Sequence, residues 1–266
     1  MSKHGSARVV LAGAAIAATA ALAGCGGVPN GTKPDVPGEN AGGTAAAAAT
    51  SRLSSTAPLT AQQSAIAAKS FAKANSIPFP VAVGNTWVYQ TQAGGQTGRT
   101  TNRVVGAGPG SAGFRVTVSS TTDIGGSAST VVPVYTFYPD GTIGYPVPSV
   151  SGVPGSGSDI RWPDAAGLAS GQAYHSVLRI QGVNADVTVQ GAGTTSVSVP
   201  AGSYRASVVK TTITAQGQTI QVTVWIAQGT GPVKTEVLIR APGGTGITTS
   251  ELLSFSKAVS VVGDGS

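Results

Sequence analysis

Few residues in this chain of 266 carry reactive groups, and each can be weighed by name. There is one cysteine, Cys25, in the stretch ALAGCGG, and there are two histidines, His4 and His175. A single thiol closes no internal disulfide, and one Cys with two distant His provides no zinc set of the usual spacing. What the thiol can do is act as a nucleophile once ionised. A Ser-His-Asp triad would have to use His175, yet no Gly-x-Ser-x-Gly turn exists to present a serine, and GSGSD at 155–159 reads as loop. His175 therefore reads as a strand surface residue. Glycoside hydrolysis needs two carboxylates across one cleft. Beyond the N-terminal region only Asp159 and Asp164 lie close in sequence, in a Gly/Ser/Pro-rich stretch where acids commonly serve turns. Phosphate-loop and dinucleotide fingerprints are absent. These residues point away from an enzyme, with no catalytic residue, no cofactor and no metal expected.

The setting of Cys25 gives its thiol a use. Lys3, His4 and Arg8 form a basic head, and Val9 to Ala21 is an apolar run too short for a span of about 20 residues. That length suits the hydrophobic part of a secretory signal. Leu22-Ala23-Gly24-Cys25 resembles the lipobox of bacterial lipoproteins at all four positions. The resemblance implies removal of residues 1–24 as a lipoprotein signal peptide and alkylation of Cys25 by diacylglycerol. The expected location is the cell membrane, lipid-anchored and facing out of the cytoplasm. Two acyl chains on one residue satisfy the two-signal requirement for stable attachment.

Composition limits the partners. The formal charge of +6 falls to +4 once Lys3 and Arg8 are removed. The remaining basic residues are scattered, without the basic stripe and interleaved aromatics of a nucleic-acid binder, so no nucleic acid is expected. A weak pull toward an anionic membrane surface or wall polymer fits the sign of the charge.

Residues 25–58 are rich in Gly, Pro, Ala and Thr and poor in large apolar residues, which predicts a disordered tether. Residues 59–80 then change character. Thr60 with Gln63 is a capping-box pattern, Ile66, Ala67, Phe71 and Ala74 recur at helical spacing, and Asn75 with Pro78 gives a stop. One short N-terminal helix, roughly Ala61 to Ala74, is predicted.

From Val81 the period becomes two. Ile220, Val222, Val224 and Ile226 alternate with Gln221, Thr223, Trp225 and Ala227, and Val233, Thr235, Val237 and Ile239 repeat the pattern. Turn signals at Asp140-Gly141, Gln216-Gly217 and Gly229 to Pro232 separate such runs. A shift of 90 positions aligns FRVTVSSTT at 114–122 with YRASVVKTT at 204–212, and Val132, Val134, Tyr135, Gly141 and Ile143 with Val222, Val224, Trp225, Gly231 and Val233. The expectation is a mainly all-β chain, a curved antiparallel sheet, sandwich or half-barrel built from two duplicated units, 81–145 and 171–262, joined by a loop at 146–170.

The segments VGNTWVYQT (83–91), YPDGTIGYP (138–146), VSVPAGSYRASVV (197–209) and TVWIAQGTGPVKTEV (223–237) carry a second resemblance. They are similar to a widespread group of uncharacterised bacterial secreted proteins and lipoproteins with GNxWxY, VPAGx-aromatic and WxAxGxGxVK motifs. It implies a shared sheet and a surface location, not an activity. The function expected is therefore a non-catalytic binding module for a lipid, glycan or envelope protein. The alternative is a structural or assembly module that docks on protein without a small-molecule ligand. Tyr89, Tyr135, Trp162 and Trp225 are the candidate ligand-contact residues, since aromatics bury large areas and direct recognition.

Overall fold

Alternating apolar positions draw the strands into one antiparallel sheet with a single dry face. The computed structural model describes residues 80–145, 159–180 and 183–258. The expected signal peptide, Cys25, the expected tether and the helix expected at Ala61 to Ala74 lie outside the described residues, as does the 146–158 part of the expected loop.

The strands are β1 (Thr86–Ala93), β2 (Gln96–Pro109), β3 (Phe114–Ile124), β4 (Ser127–Val131), β5 (Val134–Phe137), β6 (Ile143–Tyr145), β7 (Ile160–Trp162), β8 (Ala173–Ile180), β9 (Val183–Val199), β10 (Gly202–Ala215), β11 (Gln218–Ala227), β12 (Gly231–Ala241) and β13 (Gly244–Ser256). Helix α1 (Ala165–Ser170) stands between β7 and β8. The sheet order is β7-β6-β5-β3-β2-β1-β13-β12-β11-β10-β9-β8, with β4 paired to β3 off this path. Two meanders are thus joined where β1 pairs antiparallel with β13. In sequence, the shift of 90 positions aligns β3 with β10, and β5 and β6 with β11 and β12; these strands are not neighbours in the sheet.

The sheet curls into a nearly closed barrel. Trp87 Nε1 donates to the Thr230 carbonyl at 2.6 Å, and Tyr89 Oη donates to the Pro232 carbonyl at 3.0 Å, so β1 reaches past β13 to the start of β12. The Ala201 N–H, in the turn between β9 and β10, donates to the Leu252 carbonyl of β13 at 2.9 Å. Bulges at Val233 of β12 and Leu253 of β13 break the registers there, and bulges bend a strand and raise its twist.

The turns follow their residues. Gln216 and Gly217 both take positive φ, 48° and 72°, and join β10 to β11 as a two-residue hairpin. Pro200 and Ala201 form the turn between Val199 and Gly202, where no ladder donor is required.

The stretch expected as loop up to residue 170 is partly ordered secondary structure: β7 and α1 occupy its second half. Asp164 caps α1, its Oδ1 accepting from the Gly167 N–H at 2.9 Å, and Gly171 ends the helix at φ 69°. Gly and Ser enrichment obscured these two caps. α1 packs against β9 so closely that a Cβ on Gly191 would strike the Leu168 carbonyl.

Candidate functional site

Period two sends Trp87 and Tyr89 of β1, Tyr135 and Phe137 of β5, Tyr145 of β6 and Trp162 of β7 to the inner face, where each is buried. Tyr145 stacks on Trp162 with centroids 4.1 Å apart and meets Tyr135 edge-on at 5.1 Å. Trp87 stacks on Phe255 at 5.1 Å. Of the four aromatics singled out from the sequence, Tyr135 and Trp162 come together through Tyr145, and Tyr89 shares their buried face. Trp225 is on the outer face, half-buried, 5.7 Å from Lys234 Nζ, which pairs with Glu251 at 2.7 Å. Burial pushes the Tyr89, Tyr135 and Tyr145 phenols up from their ordinary value, because the phenolate would lose its hydration.

A second inner feature is polar. Thr122, Thr100, Thr91 and Ser250 form a chain of hydroxyl hydrogen bonds of 2.8, 2.9 and 3.0 Å across β3, β2, β1 and β13. Thr235 of β12 stands opposite Ser250 and extends the row. Buried hydroxyls of Ser120, Tyr145, Thr211 and Thr235 have no hydrogen-bond partner among the described residues. Each such group costs about 1–3 kcal/mol. Sequence reasoning missed this row, although polar residues at inward positions, such as Thr235 in the β12 alternation, were its signal.

The groups weighed for acid–base or nucleophilic work are scattered. His175 is exposed on β8, its Nδ1 3.0 Å from Thr188 Oγ1. Asp159 accepts from Tyr138 Oη at 3.0 Å, and Asp164 serves as the helix cap. Among the described residues no three His, Cys, Asp or Glu side chains gather as a metal set.

Around β7 the contacts have a structural use. The Arg161 guanidinium lies 3.4 Å from the Tyr138 ring centroid, donates to Thr142 Oγ1 at 2.6 Å and sits 3.6 Å from Asp140. Partial burial raises the Tyr138 phenol, and its bond to Asp159 adds to the shift. These contacts pin β7 to the β5–β6 turn. Across the gap, β8 pairs with β9 alone among the described residues, and Tyr174, His175, Ser176 and Val177 are all exposed there. Among the described residues the sheet therefore ends in a strand with one unpaired hydrogen-bonding edge.

No family model and no curated protein matches the chain. Two solved structures are similar to it. One is a candidate lipoprotein of Parabacteroides distasonis, 15% identical, TM-score 0.47, covering 67% of this chain and 98% of the other. The second is a candidate exported protein with a YmcC-like fold from Bacteroides fragilis, 20% identical, TM-score 0.45, with the same two coverages. At these scores the likeness identifies neither a family nor a function.

The geometry itself sorts the surfaces. The inner face is lined with buried aromatic, aliphatic and hydroxyl side chains and bears no buried Lys, Arg, Asp, Glu or His among the described residues. Among the described residues, the unpaired edge of β8 and the outer faces are what is presented to solvent.

Proposed function

We propose that this protein is a lipid-anchored envelope lipoprotein, held by diacylglycerol on Cys25 outside the cytoplasm. Its β domain is a non-catalytic docking module for another envelope protein. The anchor rests on the Leu22 to Cys25 motif and the signal-like run before it. The observation that carries the docking role is the sealing of Tyr89, Tyr135 and Trp162 inside the barrel, each under 5% exposed. A ligand meets such residues only after the core is opened, so recognition belongs to the outer surface. The edge of β8, unpaired among the described residues, supports this reading, because an unpaired edge offers main-chain donors and acceptors to an incoming strand.

Two measurements on the full lipoprotein, purified from a bacterial envelope, test the proposal. A photo-crosslinking residue at Ser176 or Val177 is expected to trap one envelope protein in cells, and an organic extract is expected to hold no lipid beyond the Cys25 acyl chains. A second lipid at near-stoichiometric yield would overturn the docking role in favour of a lipid carrier. Absence of acylation on Cys25 in the same mass spectrum would overturn the anchor.

A further inference from the structure

One rim of the barrel combines exposed apolar and basic side chains. The Gly84 N–H donates to the Val104 carbonyl at 2.8 Å, and the Val104 N–H donates to the Asn85 carbonyl at 2.9 Å. These bonds bring Val83 and Val105 to the same end of adjoining chain segments, 53% and 47% exposed. Asn85 Oδ1 accepts from the Ala258 N–H at 2.8 Å, which draws the exposed Lys257 to the same place. Arg103 precedes Val105 by two residues on β2, pairs with Thr86 of β1 and Ser119 of β3, and is exposed. Val132, 55% exposed, follows Val131, which pairs with Ser120 of β3 beside Ser119. Arg115 is exposed on β3 toward the same end, opposite Gly108.

The charges at this rim have one sign. Arg103, Arg115 and Lys257 take part in no ion pair among the described residues, while Arg161 and Lys234 do. The acid of β3, Asp123, lies at the other end of that strand, opposite Arg99. The β5–β7 acids are already engaged by Tyr138, Arg161 and the α1 cap.

From this juxtaposition we infer that the rim formed by Val83, Val105, Val132, Arg103, Arg115 and Lys257 is the face with which the domain lies on an anionic lipid surface. The inference rests on the anchored reading above and adds an orientation to it. Three features select a membrane as the occupant. The charge is complementary to anionic headgroups, each Lys or Arg near such a surface adding a favourable increment. The apolar groups are valines on a turn (Val83), at a bulge (Val105) and in the link between β4 and β5 (Val132), suited to shallow insertion between headgroups and too small for a deep pocket. The described residues begin at Pro80, three residues before Val83, and residues 26–79 separate it in sequence from Cys25. Seated on this rim, the barrel turns the opposite hairpins outward and leaves the β8 edge accessible from the side.

The test compares the full lipoprotein in vesicles of phosphatidylcholine alone and of phosphatidylcholine mixed equally with phosphatidylglycerol, read by hydrogen exchange and by an environment-sensitive dye on Val105→Cys. Slowed exchange at residues 82–86 and 103–107 and a blue-shifted dye are expected only on the anionic vesicles, and both are expected to fade at high salt. Arg103→Glu and Lys257→Glu, at exposed positions, should each weaken partition of the unacylated Cys25→Ser chain to anionic vesicles by roughly fivefold. Equal exchange on both vesicle types, or protection confined to β8, would overturn the inference; the latter result would point to a protein partner on the edge. The unacylated chain separates the two readings, since it tests the rim whether or not Cys25 carries lipid in cells.

Discussion

The indole of Trp162 lies stacked on the Tyr145 ring at 4.1 Å between centroids, and this contact secures the three-residue strand β7 to the inner face. Backbone pairing alone could not hold so short a strand at the end of a sheet. The aromatic pair and the Arg161 contacts on its outer side do so together.

Trp162→Ala should accordingly destabilise the domain by about 3–5 kcal/mol, the range for deleting a buried aromatic. Trp225→Ala, on the outer face beside Lys234, should cost far less. Urea unfolding of both variants decides the matter. Equal losses would mean that Trp162 is not the core residue its burial makes it.

Alkaline pH should weaken the fold through the buried phenols. The folded values of Tyr89, Tyr135 and Tyr145 are raised above the unfolded value of 10.0, so the native state holds these protons more tightly. Their contribution is fully present below pH 10 and is lost as pH rises from there through the raised folded values. Each phenol steepens the loss by up to about 1.4 kcal/mol per pH unit. Tyr145→Phe should flatten the fall in melting temperature above pH 10, whereas a profile identical to wild type would place the Tyr145 hydroxyl in water.

The hydroxyl row divides into members that bond and one that does not. Thr235→Val replaces a buried hydroxyl without a partner by a methyl and should leave stability unchanged or raise it by about 1 kcal/mol. Thr91→Val breaks bonds to Thr100 and Ser250 and should lower stability by a similar amount. Calorimetric melting of the pair checks the difference in sign.

Gly191→Ala should push α1 off β9, because the new methyl would collide with the Leu168 carbonyl. Faster proteolysis between Asp164 and Gly171, with the rest of the barrel intact, is the expected outcome. Gly246→Ala, where no atom lies within 4 Å, is the matched control and should melt within about 1 kcal/mol of wild type.

Much of this architecture was legible in the chain because its signals are local. Alternation in β11 and β12 marked strands with one dry face, and Gln216 with Gly217 marked a hairpin, since side-chain period and positive φ are properties of adjacent residues. The α1 helix was missed although Asp164 and Gly171 cap it, because six residues show less than two turns of periodicity. The candidate site was less legible. Tyr135, Trp162 and Trp225 look alike in sequence, each an aromatic in or near a strand. The direction in which the sheet curls sends the first two into the core and leaves the third half-buried at its margin.

By itself, then, the sequence determined that the chain is antiparallel β and that its turns fall at particular glycines. Only the tertiary structure decided that the aromatics are sealed in, that β8 pairs on one side only among the described residues, and that Val83, Val105, Arg103 and Lys257 share one rim. The physical reason is that periodicity sets which way a side chain points from its own strand, whereas exposure and neighbours depend on pairings between residues more than a hundred positions apart, as between Asn85 and Ala258.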